Sequence, residues 1–150
     1  ILAQNQAPAS SIILEVTEGM LIEDVDGAIA RMQELVALGI RFSIDDFGTG
    51  YSSLNYLKRM PLYELKIDKS FMDGTPDDPN DTAIVKLILS VASNLGLKVV
   101  AEGVETRSQS EFLVEHGCDA MQGYLLARPM PIEDWLNQQV PAESVPSSSA

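Results

Sequence analysis

Four apolar segments of this chain carry charged residues toward their C-terminal ends, and that recurrence constrains the fold more than any other feature. Residues 12–17, 41–45, 64–68 and 98–102 read as strands, with 120–123 a weaker fifth. A period of two places Ile13 with Glu15, Ser43 with Asp45, Lys66 with Asp68 and Val100 with Glu102, each pair on one face. Covered strands of an open parallel sheet are apolar on both faces near the centre. Here one face turns polar toward the C-terminal end of strand after strand, which is how a β/α barrel assembles a site at its mouth. The pattern by itself leaves an open sheet with a crevice at a switch point as the alternative.

The segments between the strands carry helical spacing. Val25, Ile29, Met32 and Val36 form one stripe of a helix from Asp24 to about Leu38, with Gly39 as its stop. Ile84, Leu87, Ile88, Val91 and Leu95 form a second, starting at Asp81 or Thr82 and ended by Gly96. Thr106 with Gln109 three residues on is a capping-box pattern for a third helix, which stops at Gly117. Residues 53–60 read as a short helical turn and 131–139 as a last helix with proline in its first turn. Thr82, Thr106 and Asp24 are read as helix caps. The fold class is therefore α/β, a (β/α)8 TIM-like barrel represented by its last five or so βα units. A complete barrel needs roughly 200–250 residues, so about three strands are expected to precede Ile1. The start at Ile1, in what reads as a helix tail over residues 1–6, is abrupt and suits a truncated chain. Residues 1–140 are assigned to the barrel and 141–150, rich in Pro and Ser, to a disordered tail.

Charge and composition narrow the chemistry. Twenty-two acidic against 10 basic residues give a formal net charge of −12, which disfavours polymeric nucleic acid. A small anionic ligand is still admissible where metal cations invert the local field. Cys118 is the only cysteine and His116 the only histidine. No intrachain disulfide can form, and a Ser/His or Cys/His pair is hard to build. Cys118 is read as a small buried apolar residue and His116 as a helix-end residue. No apolar run approaches the ~20 residues of a membrane span, and no signal peptide precedes the first strand. A cytoplasmic location follows as an expectation.

The inward set is Glu15, Asp45, Asp46, Lys66, Asp68, Glu102, Glu105 and Gln122. Carboxylates converging on one mouth repel unless cations neutralise them. Oxygen ligands without a Cys or His cluster point to Mg²⁺ or Mn²⁺ shared with a substrate phosphate. Asp45 and Asp46 are neighbours, so a regular strand would turn them to opposite faces. A bend into Gly48–Thr49–Gly50 lets both reach the mouth, one for each of two metals. Singly, each residue has a plainer reading. Glu18 and Glu105 suit solvated or capping positions, Lys66 a structural ion pair, Gly48 and Gly50 ordinary turns, and Tyr51 and Ser52 loop packing. Helix-capping acids, however, would not recur at the end of every strand. A Schiff-base enzyme using Lys66 as nucleophile is a weaker alternative, since that chemistry has no need of a ring of carboxylates.

LEVTE (14–18), DDFGTGYSSL (45–54), LKIDKSF (65–71), AEGVET (101–106) and QGYLLARPMP (122–131) occur in this order. Together they closely resemble the C-terminal motifs of EAL domains, the bacterial phosphodiesterases that hydrolyse cyclic di-GMP to linear pGpG. The resemblance spans Ser11 to Leu136. It implies that Glu15 and Asp45 are metal ligands and that Asp46 binds the second metal. It further implies that Lys66 holds and polarises the attacking water. Glu102 would be a metal-site carboxylate and general base, with Glu105 and Gln122 completing the site. Glu18 would anchor the loop 46–51 and mediate communication across a homodimer. Mg²⁺ or Mn²⁺ would support the reaction and Ca²⁺ inhibit it.

The sequence also departs from the family pattern. The Glu of the naming Glu-x-Leu motif and an Asn ligand on the next strand are not found among the residues before Glu15. The chain by itself is therefore expected to be inactive and to self-associate. A degenerate EAL domain that senses cyclic di-GMP without cutting it is the alternative.

Overall fold

The computed structural model describes residues 7–17, 24–48 and 54–137. After a 3₁₀ turn at Ala9–Ser11, the chain runs through β1 (Ile13–Thr17), α1 (Val25–Ala37), β2 (Arg41–Phe47) and α2 (Leu54–Arg59). It continues with β3 (Glu64–Ile67), α3 (Lys69–Met72), α4 (Pro79–Leu95) and β4 (Lys98–Ala101), then α5 (Arg107–Glu115), β5 (Ala120–Met121) and α6 (Ile132–Asn137). The helix expected over residues 1–6, the anchor Glu18, the loop residues 49–53 and the tail 141–150 lie outside the described residues.

All pairings are parallel, and the five strands lie in sequence order, β1-β2-β3-β4-β5. A doubly wound sheet reverses its strand order at a switch point. This one does not reverse, which is the winding of a TIM-type barrel. Leu65, Ile67, Val99 and Ala101 of the central strands are buried against Val85, Ala92 and Leu113 of α4 and α5.

Local chemistry sets the helix ends. Asp24 caps α1 through Gly27 N–H, and Thr106 with Gln109 forms the expected capping box on α5. His116 ends α5 as expected, its Nδ1 2.8 Å from the Phe112 carbonyl oxygen. Cys118 is only partly buried, with Sγ 3.1 Å from the Ala120 carbonyl oxygen, and burial pushes its thiol pKa up. The start of α4 differs from the expectation. Its cap is Asp78, which accepts from Asn80 and Asp81 N–H, with Pro79 opening the helix. Thr82 lies inside the first turn and donates instead to the Pro76 carbonyl. An aspartate followed by proline outcompetes the later threonine because proline already has helical φ and gives up an N–H that would be unpaired there anyway. Leu87, placed on the apolar stripe by spacing, is 63% exposed, and α4 buries Val85, Ile88, Leu89 and Ala92 instead. Among the described residues no helix is long and apolar enough to cross a membrane.

Candidate metal centre

β2 carries the feature on which the site depends. Its register to β3 shifts between Ile44 and Phe47, so three steps along β2 face two along β3. The extra residue is accommodated by Asp46, which sits at φ 54°, the only non-glycine residue with positive φ among those described. Such a bulge re-aims side chains that a regular strand would alternate. It brings oxygens of Asp45, Asp46 and Glu102 within 4.8 Å of one another. The two aspartates thus share one cluster through the bulge at Asp46, while Thr49 and Gly50 of the expected bend lie outside the described residues.

Lys66 lies at the centre of this group and is almost fully buried. Its Nζ is 2.9 Å from Glu15 Oε1, 3.0 Å from Asp45 Oδ1 and 2.5 Å from Glu102 Oε1. Burial opposes the ammonium form, but the bonds to Glu102, Glu15 and Asp45 outweigh it and hold Lys66 above the usual lysine range. Four strands therefore meet through one cation. Gln122, just past β5, donates Nε2–H to Glu102 Oε1 at 2.7 Å and adds the fifth.

The second aspartate has a different environment. Desolvation, and then the negative charges of Asp45 and Asp68, raise the pKa of Asp46, which is hydrogen-bonded to Asp68. Asp68 is itself held low, first by the Ser70 hydroxyl and backbone N–H, as it caps α3. Crowded acids of this kind favour a cation. Asp45 Oδ1 is buried, and the Lys66 ammonium that faces it at 3.0 Å is shared with Glu15 and Glu102. Hard oxygen donors gathered by a bulge, three carboxylates with only one ammonium between them, fit a divalent cation of the Mg²⁺ or Mn²⁺ type.

Glu105 stands apart from the carboxylate group. It pairs with Lys69 at 2.6 Å and lines a neighbouring cavity of about 490 Å³ with Glu102, Gln122, Tyr124 and Arg128. The Arg128 guanidinium carbon sits 4.3 Å over the Tyr124 ring. Lys69, Tyr124 and Arg128 fall within the quoted motifs, but sequence reasoning gave them no role. Their signal was charge: Lys66, Lys69 and Arg128 bring positive charge to the mouth of a chain that carries −12 overall.

The loop after β4 is fixed on the side of β5. Val104 N–H donates to the Gln122 carbonyl and Leu125 N–H to the Val104 carbonyl, both at 3.0 Å. A Cβ on Gly123 would lie 2.2 Å from Val104 O, so only glycine permits this approach. Glu102 and Gln122 are thereby held side by side.

A barrel-type parallel sheet with a carboxylate mouth built around a buried lysine defines the class. The EAL domain model matches residues 1–129, and the chain belongs to the EAL domain family. It is 50% identical over 135 residues to the bifunctional diguanylate cyclase/cyclic di-GMP phosphodiesterase MucR of Pseudomonas aeruginosa, a match over 90% of this chain and 20% of that protein. The solved PaMucR phosphodiesterase in complex with c-di-GMP aligns with TM-score 0.85 at 50% identity, over 89% of this chain and 54% of that one. The manganese/cy-diGMP complex of BlrP1 from Klebsiella pneumoniae aligns with TM-score 0.78 at 33% identity, over 85% of this chain and 33% of that one. The chain thus spans about a fifth of the MucR sequence it matches.

Proposed function

We propose that this chain supplies the metal-binding half of an EAL phosphodiesterase mouth that hydrolyses cyclic di-GMP to linear pGpG. The observation that carries the reading is the bulge at Asp46, which gathers the oxygens of Asp45, Asp46 and Glu102 within 4.8 Å beside the Lys66 ammonium. Glu15, Asp45, Asp46 and Glu102 would hold Mg²⁺ or Mn²⁺. The cations would acidify a water and neutralise charge on the cleaved phosphodiester. With cations on those carboxylates, a Lys66 N–H would be released to hold the attacking water in line, Glu102 would take up its proton, and Gln122 keeps Glu102 oriented through the 2.7 Å bond. Lys69 and Arg128, on the wall of the adjoining cavity, offer cationic groups to the anionic substrate. Glu105 completes the site by holding Lys69. Glu18 anchors the loop over the metals, the domain spans residues 1–140, and it works in the cytoplasm as a homodimer. A non-catalytic sensor would be marked by lost ligands, and each ligand position within the chain keeps its carboxylate.

The test uses the full-length protein. Cyclic di-GMP and Mg²⁺ or Mn²⁺ are added and pGpG is followed by chromatography. Multiple turnovers that stop with chelator and return with metal are expected. Ca²⁺ is expected to inhibit in competition with Mg²⁺, since its bonds of ~2.3–2.6 Å against ~2.0–2.1 Å loosen the in-line geometry. Tight binding of cyclic di-GMP without any cleavage would replace this reading with the sensor.

A further inference from the structure

Gln109 is a capping-box residue in an unusual place, because it is buried. A side chain in that role needs only to accept from the helix N-terminus, which is why Glu serves as well as Gln. Here both ends of the carboxamide are engaged. Its Oε1 accepts from Glu105 N–H at 2.8 Å and Thr106 N–H at 2.9 Å. Its Nε2 donates to the Met72 carbonyl at 2.6 Å. Met72 ends α3, the helix that follows β3 and its Lys66, while Glu105 lies on the loop that follows Glu102. One buried side chain thus ties together the segments leaving two strands of the site.

The loop 102–105 needs such a tie. Its near end is held by Glu102 N–H on the Ile67 carbonyl at 3.1 Å, and its middle by Val104 between Gln122 and Leu125. Its far end rests on Gln109 and on the Lys69–Glu105 pair. That pair is half exposed, with side chains 51% and 43% accessible, so solvent screens it. The buried amide bonds are not screened in this way.

We propose that Gln109 is a positioning residue for hydrolysis. Its Nε2–H bond to Met72 sets the spacing between the β3–α3 and β4–α5 segments, and so the reach of the Glu102 carboxylate toward Lys66 and the aspartates. The inference rests on the phosphodiesterase reading above and extends it to a residue that touches neither substrate nor metal.

Gln109→Glu in the full-length protein separates the two roles. The carboxylate, kept ionised by assaying at about pH 8, still accepts from Glu105 and Thr106, so the helix cap survives, while the donor to Met72 is replaced by an oxygen that repels its carbonyl. A cap alone predicts unchanged kinetics. The positioning role predicts a kcat lower by roughly 10- to 100-fold, as for other supports of metal-site ligands, with KM within about threefold. Amide hydrogen exchange of residues 103–105 should quicken by about tenfold or more, while the body of α5 stays protected. Wild-type kcat in Gln109→Glu, or unchanged exchange at 103–105, would overturn the proposal. If the variant does not fold, the wild-type carboxamide decides: protected Gln109 Nε2 protons in ¹⁵N spectra support the tie, and solvent-rate exchange refutes it. Should the wild-type protein fail to cleave cyclic di-GMP, the functional reading falls, and the exchange data judge the tie separately.

Discussion

An ammonium has three N–H donors, and Lys66 faces three carboxylates, Glu15, Asp45 and Glu102, at 2.5 to 3.0 Å. A point charge on a flexible stem fits that arrangement, whereas a planar guanidinium does not. Lys66→Arg is therefore expected to lower cyclic di-GMP cleavage in the full-length protein by roughly 100-fold or more. Affinity by calorimetry should stay within about threefold, because charge is conserved. Equal cleavage by the variant would remove Lys66 from the chemistry, and a borohydride-trapped adduct on Lys66 would favour the Schiff-base alternative. The metal ligands are tested by Glu15→Gln and Asp45→Asn, each of which deletes one anionic oxygen. Losses on the order of 10³-fold are expected, and turnover within tenfold of wild type would sink the assignment. These residues were legible because strand alternation alone puts Glu15, Asp45, Lys66 and Glu102 on one face. Asp46 was legible only through the glycines after it, since the bulge at φ 54° is a backbone event that no side-chain period records. Glu105 lies beyond β4, where period two no longer applies, so strand alternation is silent on its partner, Lys69.

Strand β4 depends on a side chain from beyond α5. Asp119 accepts from Val99 N–H at 2.9 Å and from Lys98 Nζ at 2.6 Å, closing the start of β4 against the approach to β5. The bond to Lys98, ahead of the opposing cost of desolvation, lowers the Asp119 pKa. A carboxyl whose folded pKa lies below its unfolded value, near 3.9, stabilises fully above that value. The contribution disappears as pH falls through the lower folded pKa. Asp119→Ala leaves the buried Val99 amide without its acceptor and should cost about 1–3 kcal/mol at neutral pH. In urea titrations of the full-length protein, the gap between wild type and variant should shrink below about pH 4. A gap that is constant down to pH 2 would remove the carboxylate from the explanation. At this scale the sequence was readable where elements are long and periodic, as in α1 and α5. It was unreadable for α3, whose four residues make one turn hidden between a strand and a proline-bearing loop. The 3₁₀ turn at Ala9–Ser11 is shorter still.

The whole molecule poses a problem of closure. Among the described residues β1 pairs only with β2, and β5 only with β4, so the sheet has two ends. Unpaired strand edges recruit other strands. Ile13 and Leu14 at one end are partly exposed, and beyond the other lie Tyr124, Leu126, Ile132 and Trp135, each more than half exposed. Large apolar side chains exposed at both ends of a sheet favour contact with another chain. The solved PaMucR chain is nearly twice the span matched here, since the alignment covers 54% of it. The 150-residue chain, purified alone, is therefore expected to self-associate, because pairing across the open ends satisfies both the edges and the apolar faces. Light scattering after size-exclusion chromatography measures this directly, and a stable monomer at micromolar concentration would contradict it. Catalysis should be absent from the same sample. Lys66 already engages three of the carboxylates gathered by β1, β2 and β4, and an incoming cation must compete with its ammonium for them, so Mg²⁺ should bind weakly. Incubation with cyclic di-GMP and Mg²⁺ should then release no pGpG beyond background. Steady release over many turnovers would show that this half of the mouth is sufficient for the reaction.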